Sequence, residues 1–514
     1  MKSHGLRADG IALLAGALAS LALPPVHLVP LLLVAFPILL TQIASARGPR
    51  EAARRGWWFG FGYHLIGLYW ITEAILFEAA RFWWLVPLAV PALSAVLALF
   101  IAVPAGAAWF ATRGAGRVNA AQVLTLAGGW VLADLARQFV LTGFPWNPIG
   151  SVWALPGGLG DVMLQPAASI SVHGLTLATV ALASAPLLRW PGRAVCLSVL
   201  LAWIGFGVVR VAAPAPPDQN ERVVLVQGNI AQGQKWNPAF RDEVFRKYLR
   251  LTDHGVRDAG PGPVVVVWPE TASPFLLDAN ARAAIADAAH GATVLVGAVR
   301  FDEEDRPRNT LAAVMPNGTV AAEYDKWHLV PFGEYQPSWA RVGIQLVAGG
   351  GFASGPGPET LHVPGMPPVG PLICYEAIFP GQVVDEADRP VWMVNVTNDA
   401  WFGTSSGPRQ HLAAARLRAV EEGLPLLRAA NTGITVAFDS RGHELTRIPM
   451  EEAGFRTVTL PGASPPTIFA MFGLWVPGFL AAFAMVVGLA GSRLRSHVVH
   501  TGGCRAKKTS DPVR

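Results

Sequence analysis

The chain has 514 residues, of which 52% are apolar and only 15% charged, with a formal net charge of +5 and a mean hydropathy of +0.38. A soluble globular protein carries about 25% charged residues, so the composition excludes an ordinary water-soluble enzyme and marks a membrane protein. The basic residues are spread over many loops instead of gathered on one face, which gives no reason to expect a nucleic-acid partner.

A bilayer-spanning helix needs about 20 mostly apolar residues. Residues 1–213 offer seven such stretches, at 8–24, 28–46, 57–77, 84–112, 121–140, 166–188 and 194–213. The fourth is long for one crossing, and Pro87, Pro91 and Pro104 are placed to kink it. The early "GALAS" follows a basic end and a short apolar core, as a signal-peptide cleavage site does. Because "LALPP" runs straight into the second stretch, an uncleaved helix is expected. A proline-rich polar linker occupies 214–221, and charged residues with short β-like runs then replace long apolar stretches over 222–465. The segment 466–492 holds an eighth apolar helix, and 493–514 is a basic tail.

Lys and Arg concentrate in cytoplasmic loops. Lys2 and Arg7 precede the first stretch; Arg47, Arg50, Arg54 and Arg55 follow the second, Arg113 and Arg117 the fourth, and Arg189 and Arg193 the sixth. The alternate loops hold only Arg81 and Arg137. The expected arrangement has both termini in the cytoplasm and the 222–465 domain on the outer face, with Arg493, Arg495, Arg505, Lys507 and Lys508 in the cytoplasmic tail.

Within that domain, "RVVLVQGNI", "PVVVVWPE", "ATVLVGAV", "TLAAVMP", "PVGPLICYE", "VWMVNVTND" and "GITVAFDS" are short, rich in β-branched residues and closed by turn-formers. They read as buried strands. "PAFRDEVFRKYLRLTDHGV" and "GPRQHLAAARLRAVEEGLP" read as helices between them. Alternating strands and helices predict a layered α/β domain with functional residues at strand ends.

Three strand ends carry unusual polar residues: Glu270 closes "VVVVWPE", Lys326 sits in "EYDKWHLVPFGEYQP" and Cys374 closes "GPLICYE". A thiolate attacks carbonyls, and a thiol of pKa near 8.5 needs a base to become one. Glu270 suits that task if a partly dry pocket raises its pKa, and Lys326 would favour thiolate and oxyanion alike. Singly, each has a plainer reading: an inert core cysteine, a helix-capping glutamate before "TASPF", a surface lysine. Cys196 lies in an apolar span and Cys504 in the tail, so Cys374 is the domain's one thiol. Twelve histidines show no metal-ligand spacing, so no metal is expected, and without a Walker loop or dinucleotide fingerprint no cofactor. The eighteen tryptophans read first as interfacial belt residues.

In order and spacing, these residues resemble the Glu-Lys-Cys site of the carbon-nitrogen hydrolase (nitrilase) superfamily. Together with the apolar helices, "KWHLVPFGEYQP", "VQGNIAQGQKWNP", "TGFPWNP", "NVTNDAWFG" and "RAANTGIT" are similar to the membrane-embedded apolipoprotein N-acyltransferases over essentially the whole chain. The resemblance implies an α-β-β-α sandwich inserted before the last of about eight membrane helices. It implies Glu270 as proton acceptor, Lys326 as stabiliser of thiolate and oxyanion, and Cys374 as nucleophile. It adds Glu334 as a second carboxylate, Tyr375 and Glu376 as neighbours of the nucleophile, and Trp236 near an entering acyl chain. The implied reaction carries an acyl chain from a phospholipid through a cysteine thioester to the α-amino group of a diacylglyceryl-modified apolipoprotein, performed by a monomer in a bacterial inner membrane. A membrane-tethered amidase shares the triad but has no need of seven preceding helices, and a transporter leaves the triad unexplained. "RPRNTL" before Asn309 departs from relatives, which often carry an aromatic residue there.

Overall fold

The computed structural model describes residues 2–77, 79–112, 117–235, 237–338 and 351–503. Helices fall on all eight apolar stretches: Lys2–Ser20, Leu32–Ala44, Pro49–Gly67, Val86–Leu97 continued by Leu99–Phe110, Ala120–Phe139, Ala167–Ala183, Trp190–Ala212 and Trp475–Gly503. By length and composition, three among the described residues can cross a membrane: Trp83–Phe110, Ala167–Leu187 and Trp190–Ala212. Val29–Ala44 and Trp475–Gly491 are apolar but shorter. The expected count of eight crossings is therefore not matched by eight long apolar helices.

Charge explains much of the difference. Pro49–Gly67 carries Arg54 and Arg55, and Ala120–Phe139 carries Asp134 and Arg137. These groups are paired: Arg54 with Asp9 of the first helix at 3.0 Å, Arg137 with Asp134 at 2.9 Å, and Arg55 with Glu51. Neutralised in pairs, they lower the cost of placing charge among apolar helices.

Residues beyond the linker build two mixed sheets. The first has the order β11-β1-β2-β3-β4-β5, from β1 (Arg222–Gln227), β2 (Val264–Val267), β3 (Thr293–Phe301), β4 (Pro307–Val314), β5 (Val320–Asp325) and β11 (Gly454–Thr459). The second has the order β10-β9-β8-β7-β6, from β6 (Val369–Ile373), β7 (Trp392–Thr397), β8 (Leu426–Ala430), β9 (Thr435–Phe438) and β10 (Glu444–Ile448). Strands β1, β2 and β3 are parallel, as are β6, β7 and β8.

Alternation along the strands sorts residues into layers. Val223, Leu225, Val265 and Val267 meet Ile373, Val394, Val396 and Leu427 in one core shared by both sheets. Val224, Val226 and Val266 point the other way, onto helices Arg241–Ala259 and Ala279–Ala288. Met393, Leu426 and Val436 pack on Leu412, Ala415 and Ala419 of helix Gly407–Glu422. The result is the α-β-β-α sandwich.

Helix Gly407–Glu422 also ties the sandwich to the apolar helices. Gln410 Oε1 accepts from Trp146 Nε1 at 2.9 Å and from Asn147 Nδ2 at 3.0 Å, both in the "TGFPWNP" loop. At its other end, buried Glu421 accepts from Ser171 Oγ and the Val172 amide, each at 2.8 Å. Ser171 breaks helix Ala167–Ala183 with a φ of 61°, and Glu421 satisfies the amide which that break frees.

Candidate active site

Three chain segments that follow strands converge at one end of the sandwich. Glu270 lies three residues past β2, Lys326 directly follows β5, and Cys374 directly follows β6. No helix begins at Glu270; the chain turns there with Thr271 at a φ of 44°. That turn presses on Gly297 of β3, where a Cβ would sit 2.0 Å from the Pro269 carbonyl oxygen, so only glycine fits. The Lys326 amide donates to the Asn309 carbonyl of β4 at 2.8 Å, which fixes where the side chain starts.

Lys326 is 1% exposed. Its Nζ donates to Glu334 Oε1 at 2.8 Å and to Glu270 Oε1 at 3.2 Å. Asn309 Nδ2 bridges the same two carboxylates, at 2.7 Å to Glu270 and 3.2 Å to Glu334. The other oxygen of Glu270 accepts the Asn398 amide at 2.8 Å, and that of Glu334 the Val330 amide at 2.8 Å. Lys235, also buried, donates from Nζ to the Glu270 backbone carbonyl at 2.9 Å. The two lysines, Asn309 and the two carboxylates thus form one buried network in which each carboxylate oxygen meets a donor, while the Asn309 side-chain oxygen is left without one.

This network reverses the pKa expected for Glu270. Burial raises it, but Lys326, Lys235 and the Asn309 amide outweigh burial and hold the carboxyl below its ordinary value. Cys374 moves the other way. Burial and the Glu270 charge push the thiol far up against the pull of Lys326, so the resting pair is carboxylate and thiol. Burial lowers Lys235 to about 8 against the opposing charges of Glu270 and Cys374, while Glu270 and Glu334 overcome burial to hold Lys326 protonated.

Cys374 is 8% exposed and adopts a φ of 52°, opening a short 3-10 turn through Ile378. A non-glycine residue held in this region is strained by about 1–3 kcal/mol, and such strain clusters at active sites. Glu376 does not face the other carboxylates; it is the turn's internal clasp. Its Oε1 accepts from Tyr324 Oη at 2.9 Å and the Trp327 amide at 2.8 Å, and its Oε2 from the Ile373 amide at 2.6 Å. Burial pushes its carboxyl up to about 7 while these donors pull it back. Tyr375 turns toward the membrane helices, donating to the Gly143 carbonyl at 3.0 Å. Trp236 lies outside the described residues.

Sequence reasoning passed over several members of the site. Asn398 and Asp399 were in view in "NVTNDAWFG", Lys235 in "VQGNIAQGQKWNP" and Arg428 in "RAANTGIT", but no spacing rule assigned them tasks. Behind Cys374, His411 places Nε2 at 2.9 Å from the Cys374 carbonyl oxygen and Nδ1 at 3.0 Å from Asp399 Oδ1. Arg428 donates to Asp399 Oδ2 at 2.6 Å. Gly433 makes room for that carboxylate, since a Cβ there would stand 2.4 Å from Asp399 Oδ2.

A buried cysteine in the field of an ionised carboxylate and a fixed ammonium has the chemistry acyl transfer requires, a thiol with a base and a cation near it. Comparison with known proteins agrees with that chemistry. Residues 15–185 match the family described as apolipoprotein N-acyltransferase N-terminal domain, and residues 222–461 match carbon-nitrogen hydrolase. The apolipoprotein N-acyltransferase of Rhodopseudomonas palustris is 41% identical, across 94% of this chain and 95% of the relative. That of Brucella melitensis biotype 1 is 38% identical, across 96% and 98%. An amidase from Nesterenkonia sp. aligns with 49% of this chain and 94% of its own at 18% identity and a TM-score of 0.36.

Proposed function

The chain belongs to the apolipoprotein N-acyltransferase family, and from that premise we propose how its site works. It N-acylates lipoproteins. Cys374 is the nucleophile, Glu270 the proton acceptor and Lys326 the cation that receives negative charge on the substrate oxygen. The observation that carries this assignment is the Lys326 ammonium, buried and hydrogen-bonded to Glu270 and Glu334 beside a strained cysteine turn.

In the first half-reaction, Cys374 Sγ attacks an ester carbonyl of a phospholipid while its proton passes to Glu270. The tetrahedral oxyanion is held by Lys326, a contribution of about 3–4 kcal/mol for one such donor. Collapse breaks the ester C–O bond, and Glu270 returns the proton to the departing lysophospholipid oxygen. In the second half-reaction, the α-amino group of the diacylglyceryl-cysteine of an apolipoprotein attacks the thioester. Glu270 takes a proton from that nitrogen and gives it to the leaving thiolate, so an amide and free thiol result. The high thiol pKa and low carboxyl pKa make proton transfer by itself uphill; coupling it to attack, with Lys326 collecting the charge, is what makes it passable.

The domain plan proposed is seven membrane helices in 1–213, a linker at 214–221, the catalytic domain at 222–465, an eighth helix at 466–492 and a tail at 493–514. Both termini face the cytoplasm and the catalytic domain the periplasm of a bacterial inner membrane, where a monomer meets its two lipid substrates. Arginines paired with carboxylates, such as Arg54 with Asp9 of the first helix and the buried Arg137 with Asp134, support crossing by helices that are not uniformly apolar.

Mass spectrometry of the purified protein after incubation with phospholipid tests the assignment. Wild type is expected to gain a hydroxylamine-labile acyl group on Cys374, to release lysophospholipid, and to lose the adduct to a diacylated lipopeptide. Folded protein without an adduct, or an adduct persisting in Cys374→Ala, overturns it.

A further inference from the structure

We propose that His411 is a positioning residue for Cys374, its Nε2-H holding the carbonyl of the cysteine in place while Asp399 and Arg428 hold the imidazole. The inference rests on the reading of Cys374 as the nucleophile.

The geometry is restrictive. A carbonyl oxygen can only accept, so at 2.9 Å from Cys374 O the proton belongs to His411 Nε2. The ring is fully buried and cannot trade that contact for water. Its second nitrogen lies 3.0 Å from Asp399 Oδ1 and 3.2 Å from Arg428 Nη2. Asp399 is held in turn by Arg428 at 2.6 Å and by Thr397 Oγ1 at 3.1 Å. The ring also lies beside Trp146 of the "TGFPWNP" loop, with centroids 5.7 Å apart. The charged groups facing His411 are thus Asp399 and Arg428, and its contact with Cys374 is to the backbone carbonyl. Burial and Arg428 disfavour a charged ring, and Asp399 favours one; in either charge state Nε2 keeps its proton toward the carbonyl.

The contact matters because of where Cys374 sits. Its φ of 52° is a conformation that persists only where surroundings impose it. The Cys374 carbonyl belongs to the peptide plane that carries the Tyr375 amide, so releasing it lets that plane rotate and Sγ drift from Lys326 and Glu270. A misplacement of about 1 Å costs on the order of 100-fold in rate.

Two polar variants separate positioning from mere packing. In His411→Gln the amide nitrogen reaches about as far as Nε2; in His411→Asn it stops near Nδ1. With the full chain in lipid nanodiscs, His411→Asn is expected to slow thioester formation about 100-fold, leaving the KM for phospholipid within about twofold. His411→Gln is expected to recover most of that loss. Equal rates for the two folded variants, or a loss carried by KM, overturn the inference. If neither variant folds, 15N-histidine NMR of wild type decides. One imidazole should keep Nε2 protonated from pH 5 to about 9 and shift when Cys374 is S-alkylated; an unprotonated Nε2 on the ring that responds overturns it. A wild type that never forms the adduct sinks the acyl-enzyme reading instead, a result distinct from variants behaving alike on an enzyme that acylates.

Discussion

The hydroxyl of Tyr375, the residue after the site cysteine, donates at 3.0 Å to the carbonyl of Gly143, 232 positions earlier in a loop between two apolar helices. Gln138 Nε2 repeats the link at the far side of the turn, donating to the Pro380 carbonyl at 2.9 Å. The cysteine turn is therefore braced from the membrane side, and the sandwich alone does not contain everything that shapes it.

Tyr375→Phe removes this hydroxyl and leaves the Gly143 carbonyl without its partner, at a cost of about 1–3 kcal/mol. The melting temperature should fall, and thioester formation should slow more than alkylation of Cys374 by a small reagent, because the reagent does not depend on the bracing loop. Equal slowing of both would place Tyr375 in the chemistry itself.

Lys326→Met leaves Glu270 and Glu334 facing each other without their shared cation. Removing one partner of a buried ionic network costs about 3–5 kcal/mol, and loss of the oxyanion partner costs about 100- to 1,000-fold in rate. Thermal unfolding and single-turnover acylation should both register the change. Stability should be partly restored in the double variant Lys326→Met with Glu334→Gln, while acylation stays low.

The pH dependence follows from two opposite shifts. Glu270 is held below its ordinary 4.5, so the acid limb of thioester formation lies below pH 4.5, and the rate climbs on the alkaline side as the elevated thiol ionises. Its stabilising contribution is complete above the unfolded carboxyl value and disappears as pH falls through the lower folded value. In Glu270→Gln the melting temperature should accordingly change less between pH 5 and 3 than in wild type; parallel curves would deny the shift.

Glu421→Ala strips the partner from Arg418, paired with it at 2.9 Å, and from the Val172 amide at the break in helix Ala167–Ala183. The expected loss is about 3–5 kcal/mol, seen as a lower melting temperature and earlier proteolysis of the junction. Alkylation of Cys374 in protein that remains folded should match wild type.

Much of the site was legible because it sits where local patterns end. "VVVV" before Glu270 and "VGPLI" before Cys374 are buried strands of β2 and β6, and functional groups gather past such ends for reasons that need no knowledge of the partner strands. The long apolar stretches were legible in the same way. Other elements escaped because their pattern is weak: β5 ("VAAEYD") and β11 ("GFRTVT") are half exposed, and β8 ("LLRAA") hides an arginine that reads as a surface residue.

Sequence alone determined the order of Glu270, Lys326 and Cys374, the layered α/β class and the apolar character of the flanking helices, since periodicity and composition are local properties. Tertiary structure decided the charge states and supports. Glu270 sits below its ordinary pKa because Lys235, 35 residues before it, and Lys326, 56 residues after it, arrive at one place. His411 reads as a polar face of a helix until Asp399, Arg428 and Trp146 close around it. Electrostatics and burial depend on distance in space, and only folding sets that distance.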